Sequence, residues 1–200
     1  MKKLYTFSIG LIVLLLMAAS ASAASDSKTS GSGADGSVTW DFINDDGQSM
    51  YAYIDVYENP DGNTNIYLGF NYDDVNGVYH SFYGSMMTTD DVFTVDKKLA
   101  SASLSEVSVD GYYYYYDPVN YESGSSSGTA NITADWTGVG DITKITYTVK
   151  DGTFYSVKGT SRDAIATGSI IDADGNELIG DESTDNAYIE MFNFLEIIRK

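Results

Sequence analysis

The stretch Met50–Tyr72, MYAYIDVYENPDGNTNIYLGFNY, decides the fold class. Each half alternates apolar and polar side chains with the period of two that is typical of a half-buried β-strand. The loop between the halves carries Pro60, which cannot donate to a strand ladder, and Asp61-Gly62, which tolerates the positive φ of a tight turn. The stretch therefore predicts an antiparallel hairpin.

The same signal recurs along the chain. Asn76-Gly77 and five Asp-Gly pairs separate further alternating runs; the Asp-Gly pairs are Asp46-Gly47, Asp61-Gly62, Asp110-Gly111, Asp151-Gly152 and Asp174-Gly175. Short strands with turn signals at this spacing are typical of an antiparallel sandwich or barrel. We expect an all-β fold, a β-sandwich or wide β-barrel of roughly ten strands. The C-terminal segment fits a strand or a short helix, and its aromatic and β-branched residues favour a strand.

The sequence predicts three regions: a signal peptide at residues 1–23, a flexible lead-in at 24–36 and a single β domain at 37–200. Lys2 and Lys3 precede an apolar stretch, and Ala21-Ser22-Ala23 supplies the small-residue pattern of a cleavage site. The alternative is an uncleaved anchor, since Leu4–Ala24 carries no charge. Cleavage predicts an extracellular or envelope protein with no membrane insertion afterwards.

The charge and composition of the chain limit the kinds of partner and of covalent cross-link that we expect. The net charge is −18, and removal of Lys2 and Lys3 with the signal peptide would make it (11 − 2) − 29 = −20. Such a field repels nucleic acid, so we expect no nucleic-acid partner. Asp outnumbers Glu by 22 to 7, and Asp is the acid that forms turns, so much of the charge is expected to be turn chemistry. The absence of cysteine excludes disulfides.

The tyrosines give the main functional hypothesis. Tyr112–Tyr116 is a run of five tyrosines, which on a strand divides between two faces; one set fills the core and the other is exposed. We assign Tyr113 and Tyr115 to a candidate contact surface, extended by Tyr51, Tyr53 and Tyr57 opposite the apolar face of their strand. Exposed aromatic patches mark contact sites for a sugar ring or a protein. Cross-strand pairing that only stabilises the sheet is the alternative.

A second motif has oxygen ligands at alternate positions. Asp172, Asp174 and Asn176 are candidate ligands for calcium, the single cofactor that the sequence suggests. Their glycine lies at the fourth position of the loop, whereas the EF-hand pattern places it at the sixth. The alternative interpretation is an Asx-type turn, which we favour.

No catalytic or nucleotide-binding motif stands out. Paired carboxylates are the one catalytic chemistry that composition allows, with Asp41, Asp55 and Glu106 in predicted strands. We therefore expect a non-catalytic surface or secreted module that binds a glycan or a protein. The alternative is a structural envelope component that assembles through strand edges and aromatic faces, and a glycosidase ranks third.

Overall fold

The computed structural model describes residues 27–43, 47–151, 153–180 and 182–198. These residues form eleven antiparallel strands in one sheet. The strands are β1 (Ser27–Ile43), β2 (Ser49–Glu58), β3 (Thr64–Asp73), β4 (Tyr79–Thr88), β5 (Phe93–Val95), β6 (Ser101–Asp117), β7 (Glu122–Gly138), β8 (Thr143–Asp151), β9 (Thr153–Ile171), β10 (Glu177–Ile179) and β11 (Thr184–Ile198).

The pairing closes into a ring. It runs β1-β2-β3-β4-β6-β7-β9-β11 and returns to β1, so that eight strands form a closed wall that is not a regular barrel. The short strands β5 and β10 and the longer β8 are attached to its edges. The all-β antiparallel prediction is confirmed, and the C-terminal segment is a strand.

The ring encloses one apolar core. Trp40 and Trp136 are fully buried in it, and their indole N–H groups donate to the carbonyls of Glu182 (3.0 Å) and Ser37 (2.9 Å). A buried indole needs such an acceptor, because an unpaired buried donor is costly. Small inward side chains leave room for the two indoles; they include Ala52, Ala130, Ala134, Ala164 and Ala166.

We call the end of the ring at turns 74–78, 118–121 and 172–176 the upper end, and the end at turns 59–63, 96–100 and 139–142 the lower end. Three of these turns, 59–63, 74–78 and 172–176, share one geometry. In the three alike turns the fourth residue is a glycine with positive φ, namely Gly62, Gly77 and Gly175. These are the conformations that the Asp-Gly and Asn-Gly signals predict.

The structure differs from what the sequence suggests at three places: residues 27–36, residues 123–128 and Asp110-Gly111. Residues 27–36, expected to be a flexible lead-in, form the first part of β1, because they pair with β11 and bury Ala34 and Asp35. The Ser/Gly-rich composition of residues 123–128 is typical of a flexible loop, but this segment lies within β7 and pairs with the tyrosine run of β6. The signal-peptide prediction lies outside the described residues.

Asp110-Gly111 is not a turn. β6 passes through it without interruption, and Gly111 is a strand residue. A Cβ at this position would lie 2.6 Å from the ring of Phe82 and 2.7 Å from the Cα of Gly84 on β4. Glycine is therefore required here by the close approach of two strands, and not by a turn.

Candidate binding face

Four adjacent strands carry tyrosines on the outer side of the ring, which we call the tyrosine face. Register partners share a side, so the pairing of β2, β3, β4 and β6 places these side chains together. The tyrosine face consists of Tyr51, Tyr53, Tyr67, Tyr79, Tyr83, Tyr112, Tyr114 and Tyr116.

One row across the strands organises this face. Tyr53 pairs with Gly69, Gly69 with Tyr83, and Tyr83 with Tyr112. Neighbouring strands are about 4.8 Å apart, so Tyr53 and Tyr83, two strands apart, start roughly 10 Å from each other on the sheet. The next row joins Tyr51 to Tyr114 through polar positions on β3 and β4.

The row ends in two strongly exposed rings. Tyr112 is 72% exposed and Tyr83 is 58% exposed, although each sits in the middle of a sheet with neighbours on both sides. The rest of the described chain leaves most of the surface of these two rings uncovered. Their rings are free to contact another molecule through their faces and through their hydroxyls.

Tyr53 is held differently. Its ring lies against Gly69, which has no side chain to displace it. Burial, and then the neighbouring Tyr83, Asp55 and Tyr51, raise the pKa of Tyr53 to about 12. The rings of Tyr51 and Tyr53 are 6.3 Å apart and tilted by 55°. Tyr53 is therefore a fixed, neutral part of the face.

A shallow depression adjoins Tyr112. Its volume is about 430 Å³, and it is lined by Asp110, Tyr112, Ser127 and Thr129 together with two glycines. Thr129 Oγ1 donates to Asp110 Oδ1 at 2.9 Å, which fixes the carboxylate at its rim. The depression thus combines an aromatic wall with a carboxylate and hydroxyls, the groups that bind sugar hydroxyls and ring faces.

Tyr113 and Tyr115, the first candidates from the sequence, lie on the opposite side of β6 from this face. Tyr113 packs against the core, and its ring lies 4.7 Å from that of Phe82. Its hydroxyl donates to the carbonyl of Thr129 (3.1 Å) and accepts from the backbone N–H of Ala173 (3.0 Å). Tyr113 therefore ties the turn 172–176 to β7, and it is not part of the tyrosine face.

Tyr115 is partly exposed but belongs to the same inner side. It pairs with Gly124 and its ring lies where a side chain at Gly124 would be. Its partner on β4 is His80, which stacks on Tyr72 (5.0 Å between ring centroids) and lies 3.6 Å from the Asp74 carboxylate. The side chains of Tyr115, His80 and Tyr72 thus lie together near the upper end of the strand ring.

Of the other sequence candidates, Tyr51 and Tyr53 belong to the tyrosine face and Tyr57 does not. Tyr57 lies on the outer side near the lower end and stacks on Phe192, with ring centroids 5.7 Å apart. Its hydroxyl is buried and has no hydrogen-bond partner among the residues that the structure describes. Burial, and then Tyr155, Asp35 and Asp61, raise the pKa of Tyr57.

The calcium candidates form an Asx-type turn. The Asp172 carboxylate accepts hydrogen bonds from the backbone N–H groups of Asp174 (2.9 Å) and Asn176 (2.8 Å) and from the Asn176 amide (2.9 Å). Its oxygens are thus engaged within the turn. No cluster of three or more potential metal ligands occurs among residues 27–43, 47–151, 153–180 and 182–198.

Other turn aspartates behave in the same way, as expected from the excess of Asp over Glu. Asp61, Asp74, Asp96 and Asp117 each accept backbone hydrogen bonds from residues two to four positions ahead. Hydrogen bonds from backbone N–H groups hold the pKa values of Asp96 and Asp117 below the ordinary value. The pKa of Asp74 is also lowered: against a raising effect of desolvation, hydrogen bonds from Val78, Asn76 and His80 prevail.

The structure does not bring the candidate catalytic carboxylates together. Asp41 and Asp55 are separated along the outer side of β1 and β2, and Glu106 lies at the irregular pairing of β6 with β7. Asp55 instead accepts a hydrogen bond from Ser37, and it neighbours Asp35 and Glu190, which are cross-strand partners.

These three carboxyl groups are buried to different extents, and Asp35 is only 6% exposed. Burial is the main cause that raises the pKa of Asp35, and Glu190 and then Asp55 raise it further. Burial also raises the pKa values of Asp55 and Glu190, against hydrogen bonds from Ser37 and Ser161 respectively. The cluster is enclosed by the sheet and its aromatic neighbours, so it is poorly placed to receive a substrate.

Sequence reasoning missed Tyr83, Tyr112 and Tyr114. The signal was present in β6, where Val107 and Val109 are buried. Counting in twos from these valines places Tyr113 and Tyr115 on the inner side, so that Tyr112, Tyr114 and Tyr116 lie on the outer side. The interpretation of Asp110-Gly111 as a turn interrupted that count. Without it, the assignment follows directly from the period of two.

None of the described residues forms a helix long and apolar enough to cross a membrane. Comparison of the chain with protein-family models, with curated protein sequences and with solved structures gave no significant match.

Proposed function

We propose that this protein is an exported, non-catalytic binding domain that holds a polysaccharide on its tyrosine face. The observation that carries the proposal is the row from Tyr53 to Tyr112, in which one fixed ring and two exposed rings lie side by side on a rigid sheet. A preorganised surface binds with less loss of conformational entropy than a mobile loop.

A neutral polysaccharide fits this surface best. Sugar rings present C–H groups to aromatic faces and hydroxyls to the tyrosine hydroxyls and to the depression lined by Asp110, Ser127 and Thr129. An anionic polymer would meet the strongly negative field of a chain with net charge −18. The surface extends across four strands, which suits a polymer more than a single sugar.

The experiment is a screen of the purified protein against immobilised neutral and anionic polysaccharides and against envelope proteins. We expect retention on one or more neutral polysaccharides that is lost in the variant Tyr83→Ala, Tyr112→Ala. Selective retention of a protein by the same two residues would instead assign the face to a protein partner. Retention that both substitutions leave unchanged would remove the tyrosine face from the proposal.

Self-assembly as an envelope component is the second candidate function. The observation that favours it is β8, whose nine residues pair with β9 on one edge only, within the described part of the chain. An unpaired strand edge is a template for another strand. β8 also carries two lysines, Lys144 and Lys150, in a chain that is strongly acidic.

A further inference from the structure

The basic side chains are gathered at one end of the molecule. Within residues 27–198 as described, every lysine and arginine lies at the lower end. Two of them are on the turn 96–100, and the others are on the strands that project below the ring. The full set is Lys28, Lys97, Lys98, Lys144, Lys150, Lys158 and Arg162.

The projecting strands form a four-stranded sheet, in the order β8, β9, β11, β1. β8 takes the edge of β9 along residues 153–161, where β7 has already ended its own pairing at residues 164–171. On the other side of β9, β11 pairs throughout and continues to β1. This sheet extends the wall of the ring downward.

On one face of that sheet all the charged residues are basic, and we call it the basic face. Register places Lys28, Ile197, Phe154 and Lys150 in one row on the same side. Lys158 and Lys144 lie on the same side in the rows above, since they are even numbers of residues away along β9 and β8.

No acidic residue shares that side in residues 28–36 of β1, 189–197 of β11, 154–162 of β9 or 144–150 of β8. The lysine side chains are exposed, and Lys150 Nζ lies 5.8 Å from the Phe154 ring centroid. The chain has 29 acidic and 11 basic residues, so a face with four lysines and no acidic residue differs markedly from the average composition.

The upper end has the opposite character. Among the described residues it carries no lysine or arginine, and its turns and strand ends are acidic. These acids are Asp73, Asp74, Asp117, Glu122, Asp172 and Asp174. Asp172 and Asp74 are used in turns, whereas Glu122 and Asp174 are exposed.

The upper end also has an open strand edge. β7 pairs with β9 only from Asn131 onward, so residues 122–130 pair with β6 alone in the described chain. β8 at the lower end offers an open edge of nine residues beside the basic face. Each end thus presents a backbone edge together with charge of one sign.

We infer that the basic face and the β8 edge of one copy bind the acidic upper end of a second copy, beside its β7 edge. Charges beyond roughly 8 Å are largely screened at physiological ionic strength, so the local complementarity acts although the net charges repel. Two basic faces, or two acidic ends, would repel each other. The contact is therefore head-to-tail, and a head-to-tail contact that does not close adds further copies.

Two variants test this contact. In the face variant, Lys144→Glu and Lys158→Glu reverse the basic face; in the end variant, Glu122→Lys and Asp174→Lys reverse exposed acids of the upper end. Sedimentation of wild-type protein over a concentration series in 0.15 M salt (about physiological) should show growing oligomers. Each variant alone should raise the apparent dissociation constant at least tenfold.

Mixing the two variants should restore association, because each reversed surface then meets its complement. Both variants remain strongly acidic, so general attraction between them cannot produce this rescue. The matched control is Lys97→Glu with Lys98→Glu, which makes the same change of charge on the turn 96–100 and should leave association intact.

Four results would overturn the inference. Wild-type protein that stays monomeric at all concentrations would exclude the contact, and so would failure of the mixture to associate when each variant retains its circular dichroism spectrum. Equal loss in the control would assign the effect to net charge instead of the basic face. Binding of polyphosphate by a monomeric wild type, lost in the face variant, would assign the basic face to a polyanion.

Discussion

The ring of Tyr53 on β2 covers the backbone of Gly69, its register partner on β3. Tyr83 then follows Gly69 on β4 in the same row. Because Gly69 has no side chain, the Tyr53 ring occupies the space above its backbone. This relationship fixes one ring of the tyrosine face while leaving its neighbours upright and exposed.

Replacing Gly69 with alanine should destabilise the fold by about 1–3 kcal/mol, the usual cost of overpacking, because the added Cβ occupies the space of the Tyr53 ring. In a Tyr53→Ala background the same replacement should cost much less, since the obstructing ring is gone. Urea denaturation of the four proteins measures this coupling. Equal costs in both backgrounds would contradict the contact.

Tyr113 and Tyr112 should respond oppositely to loss of their hydroxyls. Tyr113→Phe removes one donated and one accepted hydrogen bond, and we expect a loss of about 1–2 kcal/mol. Tyr112→Phe removes an exposed hydroxyl and should change stability by less than about 0.5 kcal/mol. Thermal unfolding of both variants decides this, and a larger loss for Tyr112→Phe would reverse the inner and outer assignments.

Sodium chloride should raise the melting temperature, because it screens the repulsion of a chain with net charge −18. Calcium at matched ionic strength should add no saturable stabilisation, since the Asp172 carboxylate is already bonded within its turn. Calorimetric titration in high salt measures this directly. A single saturable site that disappears in Asp172→Asn, Asp174→Asn would show that the turn does hold calcium.

The buried carboxyls Asp35, Asp55 and Glu190 should make the fold less stable as the pH rises. Their pKa values are raised, so the folded chain holds more protons than the unfolded chain, whose carboxyls have pKa values of about 4. Their contribution is fully present below that value and is lost as the pH passes through the folded values. Each extra proton held changes the free energy of unfolding by about 1.4 kcal/mol per pH unit.

The variant Asp35→Asn should flatten this decline above pH 5 (about one unit above the unfolded value), measured as urea midpoints at several pH values. Asp163→Asn, a change at an exposed position of the same sheet, is the control and should leave the slope unchanged. The turn aspartates act in the opposite direction: the pKa values of Asp74, Asp96 and Asp117 are lowered, so their contribution is lost only below about pH 4. A decline that persists unchanged in Asp35→Asn would exclude Asp35 as its cause.

The sequence contained enough information for the fold class, because alternation and turn glycines are local signals. Gly62, Gly77 and Gly175 have the positive φ that their sequence context predicts. The closure of the sheet was not predictable, since the pairing of β1 with β11 joins the two ends of the domain and no local pattern encodes it. The same pairing turns the Ser/Gly-rich residues 27–36 into a strand, with Phe192 and Phe194 covering Gly33 and Gly31.

The candidate site was predicted in kind but not in its residues. Alternation within Tyr112–Tyr116 shows that two sets exist, yet which set faces outward depends on the phase of the whole strand. A glycine at position 111 could be needed for a turn or for a close contact between strands, and only the position of β4 distinguishes the two. The row from Tyr53 to Tyr112 requires the register of four strands, which is a property of the folded sheet.

The most direct test of the tyrosine face is a binding isotherm on a neutral polysaccharide retained in the screen, for wild type and three variants. Tyr83→Ala and Tyr112→Ala should each weaken binding at least tenfold, on the scale of about 1–3 kcal/mol for a stacked aromatic at a binding site. The control Tyr121→Ala removes a tyrosine that is 83% exposed on the turn 118–121 and lies off the row, and it should bind as the wild type does. Unchanged binding in Tyr83→Ala and Tyr112→Ala, or an equal loss in Tyr121→Ala, would contradict the account.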